Sequence, residues 1–129
     1  MKPTAISSLL FSIPLITSLY NNQIFHALHF GILIVTSILN NGRIFKNETI
    51  HWYAAKCDRL FARILTLTLT YRAFTIISIC SPMYGITAGS CGILAGYIYK
   101  NKRTTADHII LHIVGTIGFT FYVIGSTIC

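Results

Sequence analysis

The sequence predicts an all-α integral membrane protein, a single helical bundle over residues 1–129 with about five transmembrane helices. Of its 129 residues, 53% are hydrophobic and only 10% are charged, and the mean hydropathy is +0.66. So few charges cannot cover a soluble globule of this size. The apolar residues also gather in runs between short polar segments. Because a membrane helix needs ~20 apolar residues, about five helices account for the chain.

The first two runs are predicted to form a helical hairpin. They cover residues 5–20 and 24–39, and only three polar residues connect them. A basic start followed by an apolar stretch is also typical of a signal peptide. However, Pro14 interrupts the apolar stretch, and residues 17–20 make a poor small-x-small cleavage site. We therefore expect the first helix to be retained.

A polar and basic segment, residues 40–63, separates this hairpin from the rest of the chain. We predict it to be the main interhelical loop, helical again from near Tyr53. The third apolar run covers residues 60–80 and contains Arg72 near its middle. Pro82 favours a stop just after this run, because a proline there cannot continue the helix.

The fourth run, residues 84–99, is rich in glycine. Gly85 with Gly89 and Gly92 with Gly96 are spaced four residues apart. Small residues at this spacing allow close approach of helices in lipid. We interpret both pairs as helix-packing contacts.

The fifth run covers residues 106–126. Thr104 or Thr105 is predicted to cap its helix, and Asp107 lies in the first turn, where a carboxylate favours the helix N-terminus.

The basic residues predict the orientation of the bundle. If all five runs span the membrane, nine of the ten Lys and Arg residues fall on one side, at Lys2 and within residues 43–63 and 100–103. The tenth, Arg72, lies inside a helix. By the positive-inside rule, the N-terminus is inside and the C-terminus is outside.

The net charge of +7 does not indicate a nucleic-acid partner, because the basic residues lie between apolar runs, where they suit anionic lipid heads. The four cysteines form neither a CxxC pair nor a zinc-finger pattern. Cys80 and Cys129 would both lie near the outer face, which allows a disulfide between them.

A group of ionisable residues is predicted at the inner side. His108 and His112 are one helical turn apart, so their rings leave the same face of the fifth helix. Asp58 lies where the third helix enters from the same side. Two imidazoles and a carboxylate form a reasonable zinc set, with a fourth position left for water. The same pattern is also typical of a headgroup-zone histidine beside one that hydrogen-bonds a neighbouring helix.

The order of these residues resembles a superfamily that contains alkaline ceramidases, progestin and adipoQ receptors and haemolysin III proteins. Its members show Ser-x-x-x-His at the end of the second helix, Asp opening the third and His-x-x-x-His opening the last. The corresponding residues here are Ser37, Asn41, Asp58, His108 and His112. Two departures are the asparagine in place of the first histidine and five helices in place of seven.

The resemblance implies that His108 and His112 bind zinc, that Asp58 and Ser37 support the reacting water, and that the substrate is a lipid amide such as a ceramide. The alternative is a non-catalytic small subunit of a larger membrane complex, in which partner membrane subunits would satisfy Arg72. A pore or carrier would instead use Arg72 together with the threonines of the third helix.

Overall fold

The computed structural model describes residues 3–129 and consists of five helical runs. They are α1 (Pro3–Tyr20), α2 (Ile24–Asn41), α3 (Glu48–Cys80), α4 (Pro82–Asn101) and α5 (Thr105–Ile128). No strand occurs in these residues, so the all-α prediction is confirmed. Lys2, which entered the topology prediction, lies outside the described residues.

Four of the five helices, α1, α2, α3 and α5, are long and apolar enough to cross a membrane. α4 has 20 residues but is not among the four. Large apolar side chains also cover the outside of the bundle; Leu67 is 71% exposed and Ile79 is 79% exposed. Such a surface suits hydrocarbon and would favour association in water.

Two helices contain short irregular segments. In α1, residues Ser8–Phe11 form a 3₁₀ turn. Pro14 supplies no N–H for the carbonyl four residues earlier, which lies within that turn. In α3, residues Ala73–Ile77 form a π turn directly after Arg72.

The start of α3 differs from the sequence prediction. Within the polar segment 40–63, the helix was expected to begin near Tyr53, but α3 begins at Glu48. The Asn47 side chain caps the helix and accepts hydrogen bonds from the backbone N–H groups of Thr49 and Ile50 at 2.9 and 3.3 Å. A good N-cap and an acidic first turn favour helix here despite the many charges. The loop is therefore only residues 42–47.

Each helix contacts the next one along the chain, and α5 contacts α1, so the five helices form a closed ring. The basic end of the bundle carries the start of α1 and the loops at residues 42–47 and 102–104. The opposite end carries residues 21–23, Ser81 and Cys129.

At the opposite end the ring closes completely. α3 contacts α5 there, and Phe30, Ile77 and Tyr122 are almost fully buried. Gln23, in the turn between α1 and α2, donates a hydrogen bond to the Thr127 hydroxyl of α5 at 2.7 Å. The Cys80 and Cys129 thiols lie beside each other, and both are free.

Glycines allow the close packing of α4 against α3. A Cβ at Gly89 would come within 2.5 Å of the Phe74 ring, and one at Gly85 would collide with the Ser78 backbone. The packing interpretation is thus confirmed for these two glycines and also for Gly92, where a Cβ would collide with a side chain of α3. It is wrong for Gly96, where a Cβ would meet nothing within 4 Å.

Candidate functional site

A cavity of about 520 Å³ lies inside the ring, toward the basic end. All five helices line it. Along α3 it extends from Asp58 to Thr70, roughly 18 Å at the helical rise of 1.5 Å per residue. The polar lining residues are Ser37, Asn40, Asn41, Asp58, Arg59, Arg63, Thr66, Thr70, Tyr99, Lys102, His108 and His112.

The beginning of α5 positions the two histidines. Thr104 forms a capping box with Asp107: its hydroxyl accepts from the Asp107 N–H at 3.2 Å, and the Asp107 carboxylate accepts from the Thr104 N–H at 3.3 Å. The predicted cap is therefore confirmed. One and two turns into the helix, the rings of His108 and His112 meet edge to face, with their centroids 4.5 Å apart.

His112 is buried and bound by α1. Its Nδ1 lies 2.6 Å from the Ser7 hydroxyl oxygen, and that hydroxyl donates its single proton to the Thr4 carbonyl at 2.9 Å. His112 Nδ1 therefore carries a proton and donates it to Ser7. In a neutral imidazole this leaves the Nε2 lone pair available for a second partner. Phe11 packs against the same ring with centroids 5.1 Å apart.

His108 is held in the opposite tautomer. Its Nδ1 lies 3.0 Å from the Lys102 ammonium, and an ammonium has only donors. The Nδ1 atom must therefore accept, so the proton of the neutral ring is on Nε2. The two neighbouring rings therefore present different hydrogen-bonding groups. His112 has a free acceptor at Nε2, and His108 has a free N–H donor at Nε2.

Asp58 is only 8% exposed. One oxygen of its carboxylate accepts from the Asn40 side-chain amide at 2.8 Å. No salt bridge reaches it within residues 3–129. The hydrogen bond stabilises a carboxylate that burial would otherwise penalise.

Ser37 and Asn41 belong to a hydroxyl and amide network between α1 and α2. The Ser37 hydroxyl lies 2.6 Å from the Ser8 hydroxyl and accepts from the Asn41 amide at 3.0 Å. The Asn41 side chain therefore donates an N–H to Ser37, whereas a histidine at this position would supply an imidazole nitrogen.

Basic side chains gather where the cavity meets the basic end. Arg63 donates to the Tyr99 hydroxyl at 3.1 Å, and the Lys102 ammonium lies 4.9 Å from the centroid of the same ring. Arg59 completes the group. Burial, together with the nearby Arg59, lowers the pKa of the Lys102 ammonium.

Ser37, Asn41, Asp58, His108 and His112 were all singled out from the sequence, and all five line this cavity. Arg72 does not. Its side chain is exposed on the outside of α3 and makes no hydrogen bond or salt bridge to the part of the chain that the structure describes.

The donor set fits zinc only in part. Between Pro3 and Cys129, no three His, Cys, Asp or Glu side chains come together as a metal-binding group. His112 has the arrangement of a zinc-binding histidine, since its Nδ1–H donates to a neighbouring oxygen. The free nitrogen of His108 carries a proton while Lys102 occupies the other, and Asn41 supplies no third imidazole.

Sequence reasoning missed Ser7, Ser8, Asn40 and Lys102. The two serines interrupt an otherwise apolar helix, which marks them as candidates for buried hydrogen bonds. Lys102 was counted among the loop charges, and no local pattern indicates that it turns back toward α5.

Comparisons with family models, with characterised proteins and with solved structures found no match. The resemblance to the ceramidase and receptor superfamily remains a prediction from the sequence. A function for this chain is therefore inferred from the geometry of the cavity.

Proposed function

We propose that this chain is a multi-pass membrane protein that binds one amphiphilic lipid in its central cavity. The polar head would lie among Asp58, Lys102, His108 and His112, and the hydrocarbon chain would extend toward Thr70. All five helices would cross the membrane, with the basic end inside.

The observation that carries this proposal is the distribution of side chains along one cavity. Charged and imidazole groups line its basic end, and farther along the cavity the buried side chains of Leu33, Ala95 and Phe119 join glycines and threonines. Ligand sites typically have volumes of ~300–1,000 Å³ and are mostly apolar with a few convergent polar groups. A cavity of about 520 Å³ inside an apolar bundle suits a molecule that is itself polar at one end.

Blocking the cavity tests the proposal. Gly96 lines the cavity and a Cβ there meets no atom within 4 Å, so Gly96→Leu would place a side chain where the lipid chain lies. Gly31 also has open space around it but does not line the cavity, so Gly31→Leu is the matched control. Native mass spectrometry should detect bound lipid on the wild type and on Gly31→Leu but not on Gly96→Leu. Equal lipid occupancy in all three proteins would refute the cavity as the site.

The orientation can be tested with a native cysteine. Cys129 is exposed at the end opposite the basic one. A membrane-impermeant maleimide applied to intact cells should modify Cys129 in a variant whose other three cysteines are serine. Labelling only after permeabilisation would reverse the proposed orientation.

The catalytic form of this function would require zinc, with His112 and His108 as ligands and Asp58 and Ser37 as supporting groups. Zinc bound there would supply Lewis acidity for hydrolysis of a lipid amide. His112 and Asp58 line one cavity, and the His112 tautomer leaves Nε2 free for a metal. Lys102 would have to withdraw from His108 first.

A pair of variants tests zinc directly. Asn41→His restores the third imidazole and should raise the zinc content of purified protein, whereas Asn41→His combined with His112→Ala should lower it again. His29, exposed on α2 and outside the cavity, provides the control His29→Ala. If neither the wild type nor Asn41→His contains zinc, the hypothesis of zinc-dependent hydrolysis is wrong, and the lipid-binding proposal is unaffected.

A second candidate function is a small subunit of a larger membrane complex. It is favoured by the exposed Arg72, because an arginine within a membrane helix is costly unless a partner satisfies it. A carboxylate on a partner helix would do so. The test is to purify the wild type and Arg72→Gln in mild detergent and to compare the proteins that copurify with each. A complex that is present with the wild type and lost in the variant supports this function. A wild type that is monodisperse without a partner counts against it.

A further inference from the structure

We propose that the lipid in the cavity carries a single hydrocarbon chain and an anionic head, phosphate or carboxylate. This inference rests on the lipid-binding function proposed above and specifies its ligand class. It follows from the charges at the basic end of the cavity, from the way those charges are held, and from the shape of the apolar part.

The charges around the cavity do not balance. Three cationic side chains line it, Arg59, Arg63 and Lys102, against the single carboxylate of Asp58. With both histidines neutral, the excess is two positive charges. In residues 3–129 the only salt bridge within 4.0 Å joins Arg43 of the loop to Glu48, the first residue of α3, and neither residue lines the cavity. The three cations therefore have no protein anion in contact with them.

Two of these cations are held by uncharged groups. Arg63 and Lys102 lie 5.1 and 4.9 Å from the centroid of the Tyr99 ring, and Lys102 also donates to the neutral His108. These contacts orient the donors without neutralising them. Pre-oriented cationic donors bind phosphate and carboxylate oxygens through charge-assisted hydrogen bonds.

Crowding of like charges adds a driving force for an anion. Arg59 and Lys102 both line the basic end of the cavity, so their like charges repel each other. An anion between Arg59 and Lys102 would relieve this repulsion. A neutral amide or hydroxyl head would leave it in place.

The rest of the cavity limits the ligand to one chain. From Asp58 the cavity continues along α3 to Thr70, roughly 18 Å by helical rise. Its volume of about 520 Å³ is in the lower half of the range of ~300–1,000 Å³ for ligand sites. Over that length, a volume of this size takes one extended chain, and a second chain would have to lie outside the cavity.

The experiment compares lipids that share a chain and differ in the head. Oleoyl lysophosphatidate and oleoylglycerol differ by the phosphate, and oleate and oleyl alcohol differ by the carboxylate. Each is titrated into the full chain in detergent micelles, and binding is measured by native mass spectrometry. We expect each anionic lipid to bind at least about tenfold more tightly than its neutral partner. A larger ratio for the first pair would identify a phosphate head, and a larger ratio for the second a carboxylate.

The charge variants test whether the cavity is responsible. Arg59→Gln combined with Lys102→Gln should reduce both affinity ratios to near one. The matched control is Lys100→Gln with Arg103→Gln, which removes the same charge from exposed residues that do not line the cavity. It should keep the wild-type ratios.

The outcomes separate the two proposals. If anionic and neutral lipids bind equally to the wild type, the anionic ligand class is wrong and lipid binding stands. If the control pair loses the preference as much as the cavity pair, general surface charge is the cause and the inference is overturned. If none of the four lipids binds, the proposed lipid-binding function itself fails.

Discussion

The same helices are packed in two different ways at the two ends of the bundle. At the opposite end, Gly85 and Gly89 bring α4 against α3, and apolar side chains such as Tyr122 fill the interior. At the basic end, Gly96 faces open space and the interior is a cavity lined by polar and charged groups. A glycine of α4 therefore allows close helix packing only where a neighbouring helix occupies the space beside it.

The difference also concerns how polar groups are satisfied. Ser18, buried in the opposite half, donates to the Pro14 carbonyl of its own helix at 2.7 Å. In the basic half, Ser7 contacts His112 and Asn40 contacts Asp58, so the hydrogen bonds cross between helices. In the opposite half the hydrogen bonds between helices come from Gln23, in the turn at the end of the bundle, and apolar packing fills the interior there. The network of the basic half instead holds the walls of a cavity in place.

The largest effect on stability should come from adding a methyl group to the closed half. A Cβ at Gly85 collides with the Ser78 backbone, which cannot move aside as a flexible side chain would. Gly85→Ala should therefore destabilise the fold by about 1–3 kcal/mol through overpacking. Thermal unfolding in detergent, followed by circular dichroism, measures the change.

The matched substitution in the open half should have the opposite sign. Gly96→Ala meets no atom within 4 Å, and replacing glycine by alanine inside a helix stabilises it by about 0.5–1 kcal/mol. Equal destabilisation by both substitutions would show that the two halves are packed alike.

A smaller loss should follow from cutting the network of the basic half. Ser7→Ala leaves the buried Nδ1–H of His112 without an acceptor, at a cost of about 1–2 kcal/mol. Ser12 is half-buried and its side chain makes no hydrogen bond to the described chain, so Ser12→Ala is the control. Chemical unfolding of both variants compares them, and a loss no larger for Ser7→Ala than for Ser12→Ala would contradict the network.

The smallest effect should be a pH dependence of anionic-lipid binding. The lowered pKa of Lys102 means that its ammonium loses the proton at a lower pH than an exposed lysine does. As pH rises through that lowered pKa, the affinity for an anionic lipid should fall several-fold. The lipid-free protein should become more stable over the same range, since the unfolded chain still binds the proton there.

Two substitutions isolate this effect. Lys102→Arg keeps its charge throughout, so its affinity should remain high and independent of alkaline pH, whereas Lys102→Gln should be weak and equally flat. The groups facing Lys102 are Arg59, Asp58, His108 and Tyr99. A fall in affinity that persists in Lys102→Arg would assign the titration to another group.

Much of the architecture could be predicted from the sequence, because its signals are local. The turn at residues 21–23, the break at Ser81 and the Thr104 cap each depend on a few adjacent residues. The start of α3 was placed too late, near Tyr53, because residues 48–52 were interpreted as part of the polar loop. They lie on a helix that Asn47 caps, and their exposed side chains do not disturb its hydrogen bonds.

The sequence alone determined the helical class, the apolar runs and the concentration of charge at one end, since each depends on residue type and short-range spacing. Asp58 and the two histidines could be assigned to that end for the same reason. The tertiary structure decided which groups meet. Ser7 and His112 are 105 residues apart, and the turn of Lys102 toward His108 depends on how α4 passes into α5. Contacts of this kind depend on the rotation and packing of whole helices, which no local pattern encodes.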